Sequence, residues 1–102
     1  MADAQKDAGI LEKPRPVAKR PQLYRVILLN DDYTTMQFVV EILESVFDKT
    51  PAEAHRIMME VHTRGRGVCG AYTFEIAETK VATVHERAKD QGFPLRASVE
   101  EG

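Results

Sequence analysis

The feature that most constrains this chain is a change of period across Asn30 to Val40, NDDYTTMQFVV. On its N-terminal side, Leu23 to Leu29 reads LYRVILL, a short apolar run suited to a buried strand. On its C-terminal side, Met36, Val39, Val40, Leu43, Val46 and Phe47 recur at helical spacing. They predict an amphipathic helix from about Thr35 to Phe47, capped by Thr34 or Thr35. The junction places an amide and two carboxylates, Asn30-Asp31-Asp32, at a strand-to-helix turn. Such a trio can cap the helix and complement its dipole, or it can hold a small cation. Calcium needs about six or more oxygens from a loop of alternating ligands, and the stretch lacks that alternation. An ammonium needs only two or three acceptors at short range, so among cations the stretch favours an amine over a metal.

The next boundary is sharper. Thr50-Pro51-Ala52-Glu53 is a capping box with proline at the first helical position. A second helix therefore starts at Pro51, buries Ala54, Ile57, Met58 and Val61, carries His62 on the same side, and ends near Arg64 with Gly65 as its C-cap glycine. Arg66-Gly67 continues the turn. Val68 to Ile76 has the β-branched and aromatic content of a strand, with Gly70 at a bulge. A third helix is expected from about Ala77 to Gln91, with Val81, Val84, His85 and Ala88 on one side. Gly92 and Pro94 end it, and Leu95 to Val99 forms a last short strand. The order β-α-α-β-α-β predicts an α+β fold, a three-stranded antiparallel sheet packed on three helices.

With 102 residues the chain has room for one domain. Residues 1–22 carry three prolines, mixed charge and no sustained period, and are expected to form a disordered N-terminal arm. Residues 23–102 are then the folded domain. The arm holds five basic and three acidic residues and the remainder nine basic and thirteen acidic, so a body near −4 follows an arm near +2. An acidic body argues against nucleic acid as a partner and for a cationic or neutral one. No apolar run approaches the ~18 residues that span a bilayer, and no apolar leader is visible. Cys69 is the only cysteine. Intrachain disulfides and thiolate clusters are excluded, and the expected compartment is the cytoplasm.

Met58, Val61 and His62 share one stripe of the second helix, and Met36 and Val39 form a similar pair on the first. The stripes can be core, or they can wall a groove, where methionine adapts to varied side chains. His62 near a helix C-terminus can cap or contact a ligand. His55 and His62, seven residues apart, lie ~10.5 Å apart along a helix, and no His/Cys pair has zinc spacing. No metal or cofactor is expected. Val68 beside Cys69 fits a buried structural thiol. Gly65-Arg66-Gly67 lacks the lysine and hydroxyl of a phosphate loop. Glu75, Glu78 and Lys80 suit a solvated helix start.

Several short motifs recur together over about residues 23–99: Asn30-Asp31-Asp32-Tyr33-Thr34, Met36 with Phe38-Val39, Met58 with Val61-His62, Val68-Cys69-Gly70, Ala77-Glu78-Thr79-Lys80-Val81, and Pro94-Leu95. Together they resemble the signature of the ClpS adaptor family. The resemblance implies a fold like the C-terminal domain of the ribosomal stalk protein. It implies a non-enzymatic, monomeric adaptor for substrates with a large hydrophobic N-terminal residue (Phe, Tyr, Trp or Leu), the bacterial N-degron, which it delivers to the N-domain of the ClpA unfoldase for degradation by ClpAP. It further implies that Asn30, Asp31 and His62 contact the α-amino group, that Asp32 and Thr34 hold the first peptide units, and that Met36, Val39, Met58, Val61 and Leu95 line the side-chain pocket. Met36 would help exclude β-branched residues. Glu75 and Lys80 fall where the family meets ClpA, and the arm would act during delivery. One departure is Thr35, where many members carry a proline that pre-sets the first helical position. Two rivals are a ribosome-associated or other protein-binding module of the same fold, and a small hydrolase using Asp31, Asp32 and His62, for which no nucleophile motif is visible.

Overall fold

The computed structural model describes residues 20–102. The chain runs β1 (Tyr24–Leu29), α1 (Met36–Ser45), α2 (Pro51–Arg64), β2 (Arg66–Tyr72), α3 (Phe74–Gln91) and β3 (Arg96–Glu101), the expected β-α-α-β-α-β order. The sheet is antiparallel, in the order β2-β1-β3. The most apolar strand lies at the centre, and Val26, Ile27 and Leu28 are fully buried there. The period of two puts Val26 and Leu28 on one face, where they join a single core with Ile42 and Leu43 of α1, Ile57 and Met58 of α2, and Val84 and Ala88 of α3. Of the expected arm, only Arg20, Pro21 and Gln22 lie within the described residues.

The helix boundaries have local causes. Thr35 is the N-cap of α1, its Oγ1 accepting from the Phe38 N–H at 3.1 Å. The helix ends two residues earlier than its apolar spacing suggests, because Asp48 adopts a left-handed φ of 55° that aspartate tolerates. The Thr50/Glu53 capping box of α2 forms in both directions, 3.2 Å and 3.0 Å. Gly65 closes α2 at φ 87°, its N–H donating to the Val61 carbonyl at 2.9 Å.

Two strand boundaries differ from expectation. Arg66 and Gly67 belong to β2 rather than to a turn, paired with Leu29 and Leu28. At the other end β2 stops at Tyr72, opposite Tyr24, the first residue of β1. Phe74, Glu75 and Ile76, expected as strand, open α3 instead. With no strand left to pair them, they follow Thr73, an N-cap whose side chain makes no capping bond. Phe74 then packs edge-on against Tyr24, ring centroids 5.1 Å apart. β3 likewise extends two residues beyond Val99, because Tyr24 pairs with Glu101. The bulge falls at Cys69, one residue before Gly70: Val26 faces Gly70 and Ile27 faces Val68, leaving Cys69 unpaired on the strand. Cys69 is fully buried, and burial pushes its thiol up to about 12, so it is a core residue and not a nucleophile.

Candidate functional site

Three local devices build a cleft at the C-terminal end of β1. The first is a tie between chain segments. The Asn30 N–H donates to the Gly65 carbonyl at 2.9 Å, so the loop leaving β1 is bonded to the residue that caps α2. Because Gly65 takes the left-handed conformation, the chain turns away at once and His62, in the last turn of α2, faces the loop. The second device is Asp31. Its Oδ1 accepts from the backbone N–H groups of Tyr33 (2.8 Å) and Thr34 (2.7 Å), and its Oδ2 accepts from the Thr34 hydroxyl at 2.7 Å. Burial raises the pKa of this carboxyl, but the three hydrogen bonds outweigh that and hold it below its ordinary value. Asp31 is therefore an anion that also shapes its own loop. The third device is the Thr35 cap, which starts α1 so that Met36 and Val39 follow the loop on its inner side.

The result is a cavity of about 260 Å³. Asn30, Asp31, Asp32, Thr34 and His62 supply its polar wall, and Met36, Val39, Met58 and Val61 its apolar one. Nine of the ten residues expected at a peptide site thus converge. The tenth, Leu95, is only 2% exposed; it lines a neighbouring cavity on the far side of the loop. Val39, Met58 and Val61 are buried, whereas Met36 is 44% exposed and stands at the rim. Among the described residues the ion pairs are Arg25–Glu100 and Arg66–Glu100, so no cation in them neutralises Asp31 or Asp32. No group of three or more His, Cys, Asp or Glu among them is disposed to hold a metal ion. The volume falls below the ~300 Å³ at which drug-sized ligand pockets begin and suits a single side chain. An acidic, acceptor-rich mouth over an apolar floor fits a ligand with a cation beside one apolar group.

The other two expected residues lie elsewhere. Glu75 is exposed in the first turn of α3, next to Phe74 and Ile76, each about half exposed. Lys80 is engaged within the fold: its Nζ donates to the Val46 carbonyl at 2.7 Å and sits 5.7 Å and 5.1 Å from the ring centres of Phe47 and Tyr72. Sequence reasoning did not single out Gly67. It is buried where β2 meets α2, and an added Cβ would stand 2.7 Å from Val61 Cγ2. Nor did it foresee that His85 Nε2 accepts from the Ala97 N–H at 3.0 Å, joining α3 to β3. A glycine in a strand is a signal of close backbone approach, but only the fold says what approaches.

Fold and cleft together define a small α+β binding module built around an acidic-mouthed apolar pocket. A sequence model of the family described as ATP-dependent Clp protease adaptor protein ClpS matches residues 19–98. A protein of Nitratidesulfovibrio vulgaris (strain DSM 19637 / Miyazaki F) named ATP-dependent Clp protease adapter protein ClpS is 54% identical over 101 residues, 99% of each chain. Its namesake from Maricaulis maris (strain MCS10) is 52% identical over 96 residues, 94% of this chain and 88% of that one. Among solved structures, Agrobacterium tumefaciens ClpS2 bound to L-phenylalaninamide superposes with a TM-score of 0.78 at 41% identity, covering 81% of this chain and all of that one. The chain belongs to the ClpS family of Clp protease adaptors. These relatives are named as adaptors, not enzymes. Among the described residues no helix is long and apolar enough to cross a membrane.

Proposed function

We infer that the protein is a non-enzymatic adaptor that reads the free α-amino group and large hydrophobic side chain of an N-degron and delivers its bearer to the ClpA unfoldase. One observation carries this reading: the acceptors and the apolar residues line the same small cavity. L-phenylalaninamide, bound by the Agrobacterium relative, is the minimal ligand of that kind, an ammonium and a benzyl group on one carbon. Asn30, Asp31 and His62 take the ammonium. Asp32 and Thr34 face the first peptide units. The Thr34 hydroxyl already donates its proton to Asp31, so it meets a peptide only as an acceptor. Met36, Val39, Met58 and Val61 enclose the side chain, with the half-exposed Met36 as the movable rim. Leu95, which the resemblance places at this pocket, belongs to the same buried core as Val39, Met58 and Val61.

Burying one Phe or Leu side chain contributes ~1.5–3 kcal/mol, and each good charge-assisted hydrogen bond adds ~1.5–3 kcal/mol. After the entropy of association, affinities near micromolar follow, about −8 kcal/mol. Glu75 and Lys80, with the exposed Phe74 and Ile76 beside Glu75, are the surface offered to the ClpA N-domain, and residues 1–22 act during delivery. The test is a pair of single variants, Asp31→Ala and His62→Ala. Both should bind a Phe-initiated peptide at least tenfold more weakly while keeping the native circular dichroism spectrum. Unchanged affinity in both folded variants would sink the assignment.

A further inference from the structure

On the other side of the Asn30–Thr34 loop lies a second cavity, of about 750 Å³. Tyr33, 78% exposed, forms its near wall, and Phe93 and Leu95 add apolar surface. Its charged groups are opposite in sign to those of the cleft: Lys89 and Arg96 line it beside His85, and no Asp or Glu among the described residues does. The carboxylate of Asp90 falls instead in the groove between α1 and α3, with Glu41, Glu44 and Arg87. Neither Lys89 nor Arg96 belongs to an ion pair among the described residues. Two C-terminal carbonyls of α3, whose dipole would otherwise offset these cations, are occupied by its own cap: Gly92 N–H to Lys89 at 3.0 Å and Phe93 N–H to Ala88 at 2.8 Å. His85 accepts at Nε2, which fixes a neutral ring with its proton on Nδ1, a donor.

We propose that this cavity is a second subsite for the same bound chain and takes an acidic side chain a few residues downstream of the N-terminal residue. The proposal rests on the N-degron reading of the cleft. The two cavities are mechanically one: the Asp31 carboxylate at the mouth of the first accepts from the backbone N–H of Tyr33, the wall of the second. An extended chain advances ~3.3 Å per residue, so three or four residues beyond the mouth span ~10–13 Å. A carboxylate at position two lies against Asp31 and Asp32 and is repelled. One over Lys89 and Arg96 is attracted, and Tyr33 and Phe93 bracket the intervening chain.

The experiment walks a single Asp from position two to position seven of an otherwise neutral, Phe-initiated fluorescent peptide. Binding is read by anisotropy against the full chain, the Lys89→Ala/Arg96→Ala double variant and the single variant Lys89→Glu. Asp at position two should weaken binding. At one position from four onward it should tighten binding about three- to fivefold, an effect that fades with added salt. The gain should vanish in the double variant and pass to a Lys-bearing peptide in Lys89→Glu. The neutral peptide should bind all three proteins alike. If no position favours Asp, or if the gain survives both variants while the neutral peptide binds normally, the second subsite is refuted and the cleft reading stands. If the neutral peptide fails to bind the unmodified chain, both are refuted.

Discussion

Replacing Gly67 by alanine should damage the cleft from behind. Gly67 is buried on β2 opposite Leu28, in a conformation open to any residue, so only space is at stake. The added Cβ would meet Val61 Cγ2 at 2.7 Å and both Cγ2 and the carbonyl oxygen of Ile57 at 3.3 Å. Carbon atoms rest at ~3.5–4.0 Å, so α2 and β2 must part by about 1 Å at this point. Val61 cannot simply rotate away, because a β-branched side chain in a helix has one strongly preferred rotamer. The Ile57 oxygen is helix backbone and does not yield alone. Overpacking of this kind costs ~1–3 kcal/mol, and for a domain of this size ~2 kcal/mol lowers the melting temperature by about 8–16 °C. Val61 also lines the cleft, so relief of the clash moves one of its walls. Affinity for a Phe-initiated peptide should fall about tenfold or more, the scale of a one-methylene misfit. The assay is thermal unfolding beside peptide anisotropy. Gly92→Ala is the control: its φ of 77° strains any side chain, but nothing lies within 4 Å of the new Cβ. It should cost ~1–2 kcal/mol and leave the affinity for the neutral Phe peptide unchanged. A Gly67→Ala protein that melts and binds like the parent would refute this account of the β2–α2 contact. One that melts early but binds normally would refute its coupling to the cleft.

Two further outcomes follow from the loop. Asp31 has a lowered native pKa, so its hydrogen bonds stabilise fully above the unfolded carboxylate pKa and fade as pH falls through the native value. The stability gap between the parent and Asp31→Asn should therefore be flat from pH 7 to about 4 and shrink below that; a gap that widens on acidification would contradict this. Thr35→Pro should be nearly neutral in thermal unfolding: φ is −74°, within proline's range. The loss of the cap to Phe38, ~1 kcal/mol, is set against ~0.4–1 kcal/mol of reduced unfolded-state entropy. A loss above ~3 kcal/mol would mean that the loop needs more of Thr35 than its cap.

Much of this was legible in the sequence, because short-range signals decide it. The capping box at Thr50, the glycine at 65 and the apolar run before Asn30 each fix an element by local chemistry; the first two formed as read, and the strand formed one residue shorter, from Tyr24 rather than Leu23. The convergence of nine site residues was legible through recurring motifs; the spacing alone favoured core over groove. What sequence could not supply is set by pairing and close approach. Phe74 and Ile76 have strand-forming side chains, yet β2 ends because β1 begins only at Tyr24, and no capping box at Thr73 announces the helix. Position 35 is an N-cap rather than a first helical residue, so threonine brings a bond that proline lacks. Lys80 reads as a solvated helix charge, but a carbonyl and two aromatic rings from other elements claim it. The basic cavity joins Tyr33 to residues 52 to 63 positions further along the chain, and no local pattern marks it.

The most direct test of the central claim is fluorescence anisotropy with one peptide in three forms: beginning with Phe, the same peptide N-acetylated, and the same peptide beginning with Ile. Tight binding of the first alone is expected, because acetylation strands the acceptors at the mouth and a β-branched side chain meets Met36 at the rim. Equal binding of the free and acetylated Phe peptides would contradict a cleft built to read an ammonium.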